Sequence, residues 1–165
     1  MTPHNSLRSL ALITTTAAAT LLLIQACGGG AVAQSASDAD AVEGVWDSVL
    51  SIKDCSSGAV LSSFKGLSVM HRGGTMSADN SRPPATRGAA FGTWKRGAAN
   101  AFTSTMLFMR FNPDTSLAGT QKVQRSFTTG SDGNSITGTV AIQVIDAAGA
   151  VIQQACASEI GVRVN

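Results

Sequence analysis

The chain contains no tyrosine, 13% charged residues and only two glutamates in a total of 165 residues. Intrinsic disorder requires high charge and few apolar residues, whereas 44% of this chain is hydrophobic. The shortage of charge also argues against a coiled coil, which is rich in Glu, Lys and Leu. A formal net charge of +2 supplies no basic face, so we expect no nucleic-acid partner.

The N-terminus has the order of a secretory signal peptide. A polar start carrying Arg8 precedes an apolar stretch that ends in small residues. A transmembrane anchor is the alternative, but threonines dilute the apolar run and Gly28–Gly30 follows it, so we prefer the signal peptide. We assign residues 1–26 to the signal peptide and residues 27–42, rich in Gly, Ala, Ser and Asp, to a flexible linker.

Two cleavage sites compete at the end of this segment. Ile24-Gln25-Ala26-Cys27 resembles a bacterial lipobox, and this resemblance implies that Cys27 carries a lipid. Gly28 in the next position then implies an outer-membrane lipoprotein that faces the periplasm or the cell surface and touches the membrane through that lipid alone. Cleavage by ordinary signal peptidase after Ala33 would instead give a soluble periplasmic or secreted protein.

Cys55 and Cys156 are the other two cysteines. In an exported, oxidising setting we expect them to form a disulfide that closes a loop of about 100 residues. Two buried free thiols are the alternative. We expect no metal and no cofactor, because His71 is the only histidine after the signal peptide and no Cys-x-x-Cys occurs.

Residues 43–165 show alternating strand patterns separated by turn residues, and no sustained 3.6-residue apolar period. The eight predicted strands are 43–54, 59–71, 75–78, 89–96, 100–111, 117–129, 135–146 and 150–164. Short connections favour antiparallel neighbours, and closure into a barrel removes free edges. We therefore predict an all-β fold, an up-and-down antiparallel barrel of about eight strands. A register that brings Cys55 to Cys156 also brings Trp46 close to Arg163 at the other end.

Gly44-Val45-Trp46 in the first strand, with Arg163 in the last, resembles the lipocalin and wider calycin pattern. In those families a G-x-W motif opens an eight-stranded barrel, and its Trp packs on a late Arg that helps to plug the closed end. The resemblance implies a lipocalin-like barrel whose open mouth binds small apolar molecules. Unlike typical lipocalins, this chain shows no helix pattern before the last strand.

A few charged residues fall within the predicted strands. Glu159 shares the parity of Arg163, and Arg125 shares the parity of its apolar neighbours. We hypothesise that Glu159 and one or more of Arg110, Arg125 and Arg163 form an interior polar cluster, since a charge inside a barrel must be paired or neutralised. The cluster would be either a structural ion pair at the closed end, which is our default, or an anchor for a ligand head group.

The run from Met106 to Phe111 places apolar residues on both faces of its strand, which indicates a packed core or a pliable Met-lined cavity inside and a covered surface outside. No G-x-S-x-G elbow or carboxylate pair occurs, and His71 adjoins a turn, so we do not expect an enzyme. We expect a barrel that binds a small apolar or amphipathic ligand. The alternative is a structural or interaction protein of the envelope with a packed interior. Interior volume distinguishes them.

Overall fold

The computed structural model describes residues 41–165. The predicted signal peptide, Cys27 and residues 27–40 of the predicted linker lie outside this range. Its eight strands are β1 (Gly44–Lys53), β2 (Val60–Met70), β3 (Thr75–Asn80), β4 (Ala90–Arg96), β5 (Ala101–Phe111), β6 (Leu117–Thr129), β7 (Ser135–Ile145) and β8 (Val151–Arg163). A single turn of 3-10 helix, Pro84–Thr86, lies between β3 and β4. Within the described range, no helix has the length and apolar character needed to cross a membrane.

The strands form one closed barrel in sequence order, and every neighbouring pair is antiparallel. Pairing of β8 with β1 closes the sheet, so every strand has a neighbour on both sides. The predicted all-β up-and-down barrel is confirmed, and each strand ends within two residues of its predicted limits. β3 is longer than predicted because Asp79 and Asn80 pair with β2 despite their turn-forming side chains.

The disulfide between Cys55 and Cys156 is also confirmed, with the two Cα atoms 5.3 Å apart. Cys55 lies in the turn just beyond β1. Cys156 on β8 pairs with Lys53, which precedes Cys55 by two residues. The bridge therefore ties the first hairpin to the last strand at one end of the barrel. The turns 54–59, 81–89, 112–116 and 146–150 share this end, which we call the open end.

The opposite, closed end is built around Trp46 and Arg163, which face each other across β1 and β8. The guanidinium of Arg163 lies 4.4 Å from the centre of the Trp46 ring, and its Nε donates to the carbonyl of Gly133 at 3.0 Å. Arg163 also donates to the carbonyl of Glu43. Gly44 has φ +126°, and a Cβ at this residue would lie 2.6 Å from Arg163 Nη1. The glycine of the G-x-W motif is therefore needed both for its backbone conformation and for the close approach of the arginine.

The closed half of the barrel is filled by a cluster of buried apolar side chains. Its members are Val42, Trp46, Met70, Met76, Trp94, Phe102, Phe127 and Ile136. Val42, which we placed at the end of the linker, is fully buried, and its carbonyl accepts a 2.8 Å hydrogen bond from Trp46 Nε1. The packed barrel thus includes Val42. Phe102 stacks on Phe127 and meets Trp94 edge-on, so the three rings pack together inside the closed half.

Candidate functional site

The open half of the barrel contains a cavity of about 570 Å³. Its wall is more apolar than polar, and its apolar members include Leu50, Ile52, Met106, Phe108, Val123 and Ile142. Several inward positions in this half carry small residues, namely Gly66, Ala78, Ala118 and Ala155. Because an eight-stranded barrel has just enough width for its side chains to fill it, small residues at these positions leave space inside.

A layer of buried polar residues separates this cavity from the cluster of buried apolar side chains in the closed half, which we call the aromatic cluster. Ser48, Ser68, Ser104, Arg125 and Glu159, which we call the polar layer, are each no more than 6% exposed. Strand alternation explains the layer, since residues two apart share a face. All except Glu159 lie two residues nearer the open end than a member of the buried apolar cluster on the same strand. The pairs are Ser48 with Trp46, Ser68 with Met70, Ser104 with Phe102, and Arg125 with Phe127. All except Ser104 line the cavity, and they form its floor.

Arg125 and Glu159 form an ion pair within this layer. Nη2 of Arg125 lies 2.7 Å from Oε2 of Glu159, and the side chains are 2% and 3% exposed. The arginine stands on β6 and the glutamate on β8, and on the intervening β7 the residue opposite Glu159 is Gly138. A Cβ on Gly138 would lie 2.5 Å from the Cβ of Phe127 and from the carbonyl oxygen of Ser126, so this glycine is needed for the close approach of β6. The Arg125 guanidinium also lies 4.8 Å from the centre of the Phe127 ring, a cation–π contact with the aromatic cluster.

The pair does not satisfy its own hydrogen-bonding groups. Arg125 Nε, Arg125 Nη2 and Glu159 Oε2 have no hydrogen-bond partner among the described residues, so Nη2 and Oε2 meet as an ion pair only. The hydroxyls of Ser48, Ser68 and Ser104 are likewise unpartnered within that range. The polar layer therefore presents both donors and acceptors at the bottom of an apolar cavity.

The structure separates the other two arginines of the hypothesised cluster from this pair. Arg163 belongs to the closed end, over Trp46. Arg110 lies further toward the open end, on the cavity wall, where its backbone bridges Arg87. Of the three arginines considered as partners for Glu159, Arg125 is thus the one that the fold places beside it.

The wall of the cavity at the open end carries a second ion pair that sequence reasoning missed. Arg87 Nη1 contacts Asp79 Oδ1 at 2.5 Å, and this hydrogen bond, with a smaller contribution from the Asn80 N–H, lowers the pKa of Asp79 from its usual value of 3.8. Arg82 lies 4.4 Å over the Phe64 ring on the same wall. Arg82 and Arg87 belong to an irregular loop, where no alternation shows which side chains turn inward. The inward serines of the polar layer were also missed, although Ser48 shares the parity of Trp46 on β1 and Ser68 that of Met70 on β2.

His71 lies at the turn between β2 and β3, on the closed end, and is exposed. Its Nε2 is 3.2 Å from the hydroxyl of Ser77, and its carbonyl accepts a 2.9 Å hydrogen bond from Trp94 Nε1. His71 is therefore remote from the cavity, and its backbone carbonyl holds the side chain of Trp94. Within residues 41–165, no three His, Cys, Asp or Glu side chains are grouped so that they could hold a metal ion.

The functional interpretation depends on four features of this geometry: the closed barrel, the disulfide, the apolar cavity and the polar layer beneath it. The polar layer and much of the cavity wall follow from residues at defined strand positions. The sequence matches no protein-family model, and a search of curated proteins finds no similar chain.

Proposed function

We propose that this protein is an exported, lipocalin-like barrel of the bacterial cell envelope that binds one small apolar or amphipathic molecule without transforming it. The observation that carries the proposal is the cavity of about 570 Å³. Small-molecule sites typically measure roughly 300–1,000 Å³ and combine an apolar wall with a few convergent polar groups. The cavity and the polar layer match this description.

The division of the barrel interior supports binding over a purely structural role. The closed half is filled by aromatic and aliphatic side chains. In the open half the apolar wall faces the cavity. An apolar molecule placed there would remove wall surface from water, at roughly 25 cal/mol per Å² buried. A protein with no ligand would gain from larger side chains at Ala78 and Ala155, which close packing of interiors favours.

The cellular setting of the proposal is the envelope. The disulfide supports export, because such bonds persist in oxidising compartments. We propose an outer-membrane lipoprotein anchored through Cys27, with a soluble form cleaved after Ala33 as the alternative. Mass spectrometry of the mature N-terminus separates them: an acylated Cys27 supports the anchor, whereas a free Gln34 amine contradicts it.

Native mass spectrometry tests the binding function. The protein is purified from its host in detergent and the sample is then exchanged into a volatile buffer. The expected spectrum contains a species heavier than the mature chain by one lipid-like mass. Titration of the delipidated barrel with N-phenyl-1-naphthylamine, a neutral apolar fluorophore, should then give one saturable site. Absence of any bound mass together with absence of saturable probe binding would contradict the proposal.

A second candidate function, as an interaction protein, is favoured by the outer surface of β4 and β5. Phe91 is 67% exposed, and it lies opposite Leu107, which is 49% exposed. Met109 extends this patch along β5. Sedimentation velocity across a concentration range tests it through self-association. Self-association that is lost in Phe91→Ser would support an interaction role for this patch. A monomer at every concentration would contradict self-association through it.

A further inference from the structure

The polar layer holds an unusual concentration of unsatisfied groups. Among the described residues, seven buried side-chain atoms have no hydrogen-bond partner, and six of them belong to Ser48, Ser68, Ser104, Arg125 and Glu159. The seventh is Arg87 Nε, nearer the open end. A buried polar group that forms no hydrogen bond costs roughly 1–3 kcal/mol, and more when it is charged. Groups gathered in one layer under a cavity point to a partner that enters from that cavity.

The charge of the layer restricts what that partner can be. Arg125 and Glu159 cancel each other, and the remaining members are neutral serines. A carboxylate or an ammonium group brought to the floor would add a net charge at a place where both side chains are at most 3% exposed. Burying an uncompensated charge costs several kcal/mol, whereas a neutral group adds no such penalty.

The free atoms of the floor further define the hydrogen bonds that it offers. Arg125 Nε and Nη2 can only donate, Glu159 Oε2 can only accept while it is ionised, and the hydroxyls of Ser48 and Ser68 can do either. A ligand group that both accepts and donates satisfies more of these atoms than a group that does only one. Hydroxyls and primary carboxamides are neutral groups with this property.

Building on the proposed function, we propose that the ligand enters head first and that its head is an uncharged hydroxyl or carboxamide held by Arg125, Glu159, Ser48 and Ser68. Its apolar part then lies along the wall formed by residues such as Ile52 and Phe108 and points to the open end. This orientation places the polar head in the buried half of the cavity, where its hydrogen bonds are shielded from water.

Three probes of equal chain length test the head-group preference: 1-dodecanol, dodecanamide and dodecanoate, each measured at pH 7 by displacement of N-phenyl-1-naphthylamine from the intact barrel. The alcohol and the amide should bind at least tenfold more tightly than the carboxylate. Equal or tighter binding of dodecanoate overturns the head-group proposal, with the arginines near the open end as its site. Failure of the fluorophore itself to bind, together with the absence of any bound mass in the native spectrum, would instead contradict the proposed function.

Two sets of variants separate a binding role from a structural one. Glu159→Gln leaves Arg125 uncompensated, so the preference should reverse toward dodecanoate. Ser48→Ala and Ser68→Ala should weaken binding of 1-dodecanol about three- to tenfold, the size of one lost hydrogen bond. Ser104→Ala is the matched control, because this serine is equally buried and unpartnered but does not line the cavity.

Circular dichroism and urea unfolding of each variant establish that it is folded. If Glu159→Gln does not fold, the serine series decides the question alone. Unchanged affinity in both Ser48→Ala and Ser68→Ala would overturn the proposal, since it would show that the cavity floor makes no hydrogen bond to the head group.

Discussion

Nη2 of Arg125 on β6 lies 2.7 Å from Oε2 of Glu159 on β8, across the single strand that separates them, in the middle of the barrel interior. The pair divides the molecule into a packed closed half and an open half with a cavity. An ion pair this deeply buried contributes little net stability, because the loss of hydration of two charges offsets their attraction. The pair lies at the cavity floor, where the proposed ligand head group would contact it.

Removing one partner of this pair should destabilise the barrel far more than removing both. Arg125→Met leaves the Glu159 carboxylate buried alone, and we expect a loss of about 3–5 kcal/mol in the free energy of unfolding. Arg125→Met combined with Glu159→Leu should recover most of that loss. A double-mutant cycle measured by urea unfolding checks the difference. A double variant as unstable as the worse single variant would contradict it.

Gly44→Ala should destabilise the closed end. The new Cβ meets Arg163 Nη1 at 2.6 Å, and the φ of +126° is unfavourable for any side chain. Gly58→Ala is the control, since Gly58 has a positive φ of 72° but no neighbouring atom within 4 Å. We expect Gly58→Ala to cost about 1 kcal/mol and Gly44→Ala clearly more, measured by urea unfolding. Equal losses would show that contact with Arg163 does not matter.

Reduction of the Cys55–Cys156 bond should lower stability without opening the barrel. The bond closes 101 residues of chain, and loss of such a link typically costs about 2–5 kcal/mol. The β1–β8 ladder of backbone hydrogen bonds remains to hold the seam. Thermal unfolding with and without reductant measures the effect, and Cys55→Ala with Cys156→Ala is the control that should not respond to reductant. Loss of the β-strand circular dichroism spectrum on reduction at 25 °C would contradict this expectation.

Acid should destabilise the barrel modestly through three aspartates whose pKa values lie below the usual 3.8. Arg87 lowers the pKa of Asp79. Hydrogen bonds from Ser57, chiefly from its backbone N–H, lower the pKa of Asp54. Hydrogen bonds from Ser116, chiefly from its hydroxyl, lower the pKa of Asp114. Because each folded pKa is depressed, the stabilisation is fully present well above pH 3.8 and is lost as the pH falls through the folded values.

Urea unfolding at pH 7, 5 and 3 measures this dependence. The free energy of unfolding should change little between pH 7 and pH 5 and fall by pH 3, with a smaller fall in Asp114→Asn and in Asp79→Asn. All three carboxylates are largely exposed, so each effect is small. Greater stability at pH 3 than at pH 7 would contradict the assignment.

The strand order and the disulfide could be predicted from the sequence because they depend on local alternation, on turn residues and on the compartment. The partner of Glu159 could not, because parity leaves several inward arginines equivalent. The choice of Arg125 depends on the register across β7, which places Val140 opposite Arg125 and Gly138 opposite Glu159. The cavity was likewise open to two outcomes, since interior volume depends on how Gly66, Ala78 and Ala155 combine across different strands.

The most direct test of the account is to fill the cavity and measure what is lost. Ala155 lines the cavity from β8, whereas Ala141 on the neighbouring β7 faces outward and is exposed, so Ala155→Trp and Ala141→Trp are matched changes. Titration with N-phenyl-1-naphthylamine should show affinity at least tenfold weaker in Ala155→Trp and unchanged in Ala141→Trp, with both variants folded by circular dichroism. Equal affinity in a folded Ala155→Trp and in the wild type would show that the ligand does not occupy the barrel.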